Sequence, residues 1–236
     1  MRLDKFLANA GLGSRKEVKA LLKKRFVMVN GQLAKDSSVH VDEINDSIAV
    51  NGKPIYYQKY TYIMLHKPSG VISATADKQD KTVIELLSHE LQKFKPFPVG
   101  RLDKDTEGLL ILTNDGQLAH ELLSPKKHVT KTYFAKIKGE VTEADCMAFA
   151  NGVTLDDGYR TKPATLRILK QAAQSEVEIM ITEGKYHQIK RMFRAVDKQV
   201  AYLKRTTMGK LHLDKALKKG EYRQLRVEEV KLLQNS

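Results

Sequence analysis

The sequence predicts an α+β protein, with a small module ahead of a larger domain built on a largely antiparallel mixed sheet flanked by helices. Three observations carry this. Near the start, apolar residues recur at helical spacing and are followed by Asn-Gly turn signals. Beyond residue 60, short strand-like runs and helical patterns mix without the strict alternation of a parallel α/β sheet. One of those runs, Leu109-Leu110-Ile111-Leu112, is apolar throughout and reads as a buried strand.

In the first module, Leu3, Phe6, Leu7 and Ala10 fall at i, i+3, i+4 and i+7, the stripe of one helix that Gly11 and Gly13 end. Ser14 opens a second helix, and Glu17 three residues on completes a capping box. Val18, Leu21 and Leu22 give that helix its buried side. Its other side carries Arg15, Lys16, Lys19, Lys23, Lys24 and Arg25 against the single acid Glu17. Strands follow at Phe26–Val29, ending on Asn30-Gly31, and at Asp46–Val50, ending on Asn51-Gly52. The expected organisation is a module over 1–50, a linker over 51–60 and a larger domain over 61–236.

In the larger domain, Tyr62–Leu65 reads as a strand running into the turn cluster His66-Lys67-Pro68-Ser69-Gly70. Helices are expected at Thr82–Leu87, Gln117–Leu123, Thr142–Ala150 and Tyr186–Val196. Strands are expected at Lys131–Lys138, Ala164–Leu169 and Glu176–Ile181, and extended chain at Phe97–Val99, Val200–Met208 and Tyr222–Arg226.

Hydrophobic residues make up 42% of the 236, so the chain should fold, and its net charge of +13 points to a polyanionic partner. The lone cysteine, Cys146, excludes an intrachain disulfide and argues against a structural zinc site. No apolar run approaches the ~18 residues of a membrane span. The N-terminus is charged from Arg2 onward, which does not fit a secretory signal, so a cytoplasmic location is expected.

The charge is clustered. One cluster is the second helix, with Arg15, Lys16, Lys19 and Lys23 as phosphate contacts. Another is Lys126–Lys138, which includes Lys126, Lys127 and Lys131 and has no acid. The third runs from Lys185 to Arg205, where Asp197 is the single acid. Within it, His187, Lys190, Arg191 and Arg194 share one helical face, while Ile189, Met192, Phe193 and Val196 should pack on the sheet. A membrane-surface helix would expose that apolar face, so a folded RNA suits the pattern better.

The stretch Gly100–Gly116, GRLDKDTEGLLILTNDG, sets Asp103 in a polar turn directly before the buried run. Arg101 and Lys104 flank it and favour an ionised carboxylate, able to act as a nucleophile or base. Taken alone, the same residues could be an ion pair fixing a loop. Asp103, Asp105 and Asp115 could instead hold a metal for a nuclease, although the flanking cations oppose one. A non-catalytic RNA-binding protein would show the same basic surface.

Longer motifs narrow the choice. The stretch RLDKFLANAGLGSRKEVKALLKKRFVMVNG resembles the S-four-like RNA-binding domain, named after a ribosomal protein. GRLDKDTEGLLILTNDG, the KTY of Tyr133 and EGKYHQIKRMF over 183–193 occur in the order found in RsuA-type pseudouridine synthases, which act on bacterial ribosomal RNA. The resemblance implies a pseudouridine-synthase catalytic domain that isomerises uridine without a cofactor or metal. It matches Asp103 to the essential aspartate, Tyr133 to a tyrosine that stacks on the base and assists proton removal, and Lys190 to the basic partner of the carboxylate. Arg101 matches an arginine holding the base out of its stack, and Lys185 stands where the motif commonly has arginine. The segment SPKKHVTKTY resembles the branch modifying small-subunit (16S) ribosomal RNA, so the expected partner is that RNA, naked or in a partly assembled subunit, with large-subunit (23S) ribosomal RNA the alternative within the same family. A monomer is expected.

Overall fold

The computed structural model describes residues 1–43, 45–55 and 59–236. Two compact units result, Met1–Thr61 with Ser88–Lys95, and Tyr62–Leu87 with Pro96–Ser236.

The first unit begins with α1 (Leu3–Asn9) and α2 (Arg15–Lys23). The expected capping box is formed: Ser14 Oγ accepts the Glu17 N–H, and Glu17 accepts the Ser14 N–H at 2.6 Å. Strands β1 (Val27–Val29), β2 (Gln32–Leu33), β3 (Ile48–Val50) and β4 (Lys53–Ile55) make one antiparallel sheet in the order β2-β1-β3-β4. Both Asn-Gly pairs turn hairpins with positive φ at each residue, +49° and +76° at Asn30-Gly31 and +50° and +74° at Asn51-Gly52. Leu3, Phe6, Leu7, Val18, Leu22, Val27, Ile48 and Val50 form the core. The segment 51–60 is therefore not simply a linker, because Lys53–Ile55 completes the sheet. Pro54 fits there because β4 is an edge strand. Of the rest of that segment, Tyr56, Tyr57 and Gln58 lie outside the described residues, as does Ile44.

The second unit opens with β5 (Tyr62–Lys67), which runs beyond the expected Leu65 because His66 and Lys67 stay in the ladder. The helix expected at Thr82–Leu87 is only a single 3-10 turn, Ile84–Leu86. Glu85 folds back to accept the Thr82 N–H and hydroxyl at 2.9 Å, and Leu87 is extended, so no second turn forms. The short helix α3 (His89–Gln92) belongs to the first unit.

The remaining elements are β6 (Phe97–Pro98), β7 (Glu107–Thr113), α4 (Gly116–Leu123), β8 (Lys131–Lys138), α5 (Glu143–Asn151), β9 (Thr165–Lys170), β10 (Gln174–Ile181), α6 (Gln188–Arg194), β11 (Gln199–Met208), β12 (Leu211–His212), β13 (Tyr222–Gln224) and α7 (Val227–Gln234). The sheet runs β13-β5-β7-β11-β8-β10-β9, with β6 beside β7 and β12 beside β11. Every pairing is antiparallel except β7–β11. Strand β7 is buried along its whole length. Leu109 and Ile111 pack with Leu118 and Leu122 of α4 and Leu233 of α7, so strand alternation sends Leu110 and Leu112 to the opposite face. That second requirement explains a run with no polar position. Phe149 of α5 and Phe193 of α6 meet with ring centroids 4.9 Å apart. Helix α7 is not among the expected helices, although Val227, Val230 and Leu233 fall at i, i+3 and i+6; Glu229 and Leu233 are its buried residues.

Gly108 makes the parallel pairing possible. It has φ +107°, and a Cβ there would collide with the Arg205 carbonyl oxygen. Gly116, by contrast, opens α4 onto free space. Gly108→Ala is expected to cost at least ~2 kcal/mol in denaturant unfolding, from strain at positive φ plus the collision. Gly116→Ala should be neutral or slightly stabilising.

Candidate active site

Asp103 sits in a turn at the N-terminal edge of β7, closed by the Thr106 N–H donating to the Asp103 carbonyl at 3.1 Å. Its backbone is held from several sides. Ser73 Oγ donates to the Leu102 carbonyl at 2.9 Å and accepts the Leu102 N–H at 3.0 Å. The Gly70 N–H donates to the Lys104 carbonyl at 2.8 Å. Lys67, at the end of β5, is fully buried. Its ammonium spreads three N–H donors over the carbonyls of Pro68, Asp103, Lys104 and Thr106, at 3.0, 3.0, 3.3 and 2.9 Å. Burial pulls the Lys67 ammonium down to about 8, against the opposing pull of Asp105, Asp103 and Glu107. Sequence reasoning read Lys67 only as part of a turn cluster. The available signal was a lysine ending an apolar run, where a charge survives only if surrounded by acceptors.

The carboxylate side of Asp103 faces α6. Lys190 Nζ lies 3.3 Å from Asp103 Oδ2 and donates to Asp105 Oδ1 at 2.6 Å, so one ammonium bridges both acids. Burial pushes the Asp105 carboxyl up, but the hydrogen bond and charge of Lys190 more than reverse this, and it lies below the usual carboxylate range. His187 Nε2 is 3.7 Å from Asp103 Oδ1. The expected neighbour Lys104 turns away to pair with Asp80 at 2.6 Å. The ion-pair partner of Asp103 is therefore Lys190, from a distant part of the chain, rather than its neighbour Lys104.

Arg101, Asp103, Tyr133, Lys185, His187 and Lys190 line one cleft of about 80 Å³, with Leu203 and Ile181 among its apolar walls. Tyr133 is on β8, opposite Ile179 of β10 and Arg205 of β11. The motif 183–193 supplies the scaffold of the far wall. Glu183 accepts from the Tyr159 hydroxyl at 2.7 Å, the Lys162 N–H at 2.9 Å and Gln188 Nε2 at 2.7 Å. Gln188 in turn accepts the Lys185 N–H at 2.8 Å, and the Lys185 ammonium lies over the Tyr159 ring.

Helix α6 begins at Gln188, not Tyr186, because His187 has a left-handed backbone with φ +49°. The expected row of four basic residues on one face is thus broken. Arg191 is engaged by Asp156, at 2.5 Å from Nε, and by Asp157 at 2.7 Å. Arg194 is exposed, while Ile189, Met192 and Phe193 are buried as expected. Lys126 and Lys127 are exposed and lie outside the cleft lining. Lys131, two positions before Tyr133, is half-buried, and burial together with the Arg205 guanidinium lowers it to about 8. Arg15, Lys16, Lys19 and Lys23 form an exposed basic surface on α2 in the first unit. The three-aspartate metal arrangement does not assemble. Asp115 caps α4 and accepts the Tyr62 hydroxyl at 2.8 Å, while Lys190 bridges the other two.

A basic cleft around an aimed aspartate, on a chain that also carries a basic helical module, describes an enzyme that works on RNA. Comparison with known proteins gives the class its name. The RNA pseudouridylate synthase family model matches residues 61–195, and the S4 domain model matches residues 1–48. An uncharacterized RNA pseudouridine synthase of Bacillus subtilis (strain 168) is 53% identical, over 99% of this chain and 98% of its own. The ribosomal large subunit pseudouridine synthase B of the same strain is 39% identical, covering 98% and 95%. The ribosomal small subunit pseudouridine synthase A of Pasteurella multocida is 40% identical, covering 98% of each chain. A crystal structure of a pseudouridylate synthase superposes with a TM-score of 0.70 at 36% identity, covering 99% of each chain. The chain belongs to the RNA pseudouridylate synthase family, and it is an isomerase with an S4 domain ahead of its catalytic domain.

Lys67 yields a test. Lys67→Met removes the shared donor from four carbonyls and frees the Asp103 turn. Pseudouridine formation is expected to lose about tenfold or more in kcat, while RNA affinity in a filter assay stays within about twofold. The pH dependence of stability should change as well. The folded Lys67 value of about 8 lies below the ordinary 10.5, so the unfolded chain binds the proton more tightly. Stability therefore rises with pH between about 8 and 10.5. Denaturant unfolding should show a smaller rise across that window in Lys67→Met than in the wild-type protein.

Proposed function

We propose that this isomerase converts one uridine of small-subunit (16S) ribosomal RNA to pseudouridine, with Asp103 as the nucleophile and no cofactor. The observation that carries the reading is the Asp103 carboxylate, 3.3 Å from Lys190, in a cleft also lined by Arg101 and Tyr133. A uridine must leave its stack to reach that carboxylate, at a cost of about a few kcal/mol. Arg101 holds the base out, and Tyr133 supports it and assists removal of the C5 proton. Asp103 forms a bond to C1′ as the C1′–N1 bond breaks; the detached base turns, C5 joins C1′ and displaces the carboxylate, and C5 then gives up its proton while N1 gains one. No atom of the nucleoside is lost.

Lys190 Nζ and His187 Nε2 face the carboxylate at 3.3 and 3.7 Å on the side where RNA closes the cleft. The exposed lysines and arginines of α2, with Lys126, Lys127, Lys131, Lys185, Arg191 and Arg194, bind phosphates and so set register and affinity. Arg191 does so by exchanging its acids for phosphate. The segment SPKKHVTKTY and the 40% identity to a small-subunit synthase support the choice of RNA. The near-equal 39% identity to a large-subunit synthase makes large-subunit ribosomal RNA the competing substrate. The protein acts in the cytoplasm, where both RNAs are found, as a monomer on RNA or on a partly assembled subunit.

Mapping pseudouridines in both ribosomal RNAs, from cells with and without the protein, decides the target. A site missing from the large-subunit RNA overturns the choice made here. The Asp103→Asn protein should bind RNA with unchanged affinity and form no pseudouridine; full activity in that variant rejects Asp103 as nucleophile. RNA affinity should fall steeply with salt, with a log–log slope steeper than about −3. Changing Arg15, Lys16 and Lys19 together to glutamine should flatten that slope, by about 0.7 to 0.9 for each phosphate no longer neutralised.

A further inference from the structure

Tyr186 is the most exposed large apolar side chain among the described residues, at 71%. It contributes nothing to the core, since Ile189, Met192 and Phe193 seat α6 on the sheet. One face of its ring is nevertheless occupied. The His187 imidazole stacks on it with 3.8 Å between centroids and 20° between planes. Consecutive side chains diverge in both helix and strand, so two neighbouring rings stack only when the backbone between them turns sharply. The left-handed His187, φ +49°, makes that turn. Strained backbone is thus spent on laying two rings together at the surface.

The position of the stack gives it a purpose. His187 Nε2 is 3.7 Å from Asp103 Oδ1. His187 also lines two clefts that meet at Asp103, one holding Arg101 and Tyr133, the other holding Ser69, Gly70, Lys104 and Asp105. The outer face of Tyr186 is therefore one imidazole away from the reacting carboxylate, next in the chain to Lys185 and open to solvent. An exposed aromatic plane next to a cationic groove is the arrangement on which single-stranded bases stack.

Resting on the reading that uridine reacts at Asp103, we infer that Tyr186 is a stacking platform for a base of the same RNA strand adjacent to the target uridine. One base enters the cleft and its neighbour lies flat on Tyr186, so the backbone is gripped on either side of the flipped nucleotide. Tyr186 then acts as a positioning residue, and an aromatic ring rather than mere apolar bulk is required.

The chain contains no tryptophan, so Tyr186→Trp places a single indole at the platform. On titration with a small-subunit ribosomal RNA transcript, its fluorescence should be quenched by about half or more, tracking binding measured by gel shift. Tyr186→Leu and Tyr186→Ala should each lose about tenfold in kcat/KM, mostly through KM. Tyr186→Phe should restore most of that loss. An indole that stays bright in the bound complex, or Tyr186→Leu performing as well as Tyr186→Phe, overturns the platform. If the unaltered protein forms no pseudouridine in either ribosomal RNA, the reading of the activity falls. The indole response then decides the platform by itself.

Discussion

A single buried ammonium organises this site. Lys67 ends β5 inside the protein, and an uncompensated charge there would cost on the order of several kcal/mol. Its compensation is the Pro68 carbonyl and three backbone carbonyls from the turn that carries Asp103. The turn cannot relax outward without leaving the cation bare, and the cation cannot be solvated without dragging the turn. Ser73 and Gly70 hold the same segment from the other sides. The Asp103 backbone therefore has little freedom, while its side chain lines the cleft beside Lys190. Reaction rates depend steeply on such placement, since small misalignments of a reacting group are costly.

The electrostatic environment is built by a different device. Residues local to Asp103 provide less of it than the sequence suggested, because Lys104 is taken by Asp80. Lys190 and His187 come from the segment opening α6, which reaches the aspartate because β7 and β11 pair in parallel at the centre of an otherwise antiparallel sheet. Glycine at 108 permits that pairing. Lys190 serves two acids at once, so Asp105 competes with Asp103 for the same ammonium. Displacing Asp105 would therefore leave more of that charge to Asp103.

What can be read in the sequence follows from periodicity and turn chemistry. Lys131–Lys138 is strand to the residue, since its alternation leaves no other choice. The Ser14–Glu17 box and both Asn-Gly hairpins are local chemistry and legible as such. Legibility fails where a partner far along the chain decides the outcome. Lys67 looks like a turn residue because its acceptors lie about forty positions away. The ion pairs of Arg191 cannot be read locally, because Asp156 and Asp157 come from another loop. Lys53–Ile55 looks like a linker because three residues with a proline carry no period, although an edge strand tolerates them. Ordered motifs single out Asp103, Tyr133 and Lys190; their convergence on one cleft is a property of the sheet.

The parallel β7–β11 contact also dictates a sequence of events during synthesis. The first unit needs little more than the first 61 residues for its basic helix and four-stranded sheet. Strand β7 has no parallel neighbour until β11, roughly a hundred residues later, has been made. Until then Lys190 and His187 are absent or undocked, and Asp103 lacks both of these neighbours. A growing chain can thus complete its S4 module well before the cleft around Asp103 can assemble. The Asp103–Lys190 contact can form only once β11 is available to pair with β7 and the segment between them has docked.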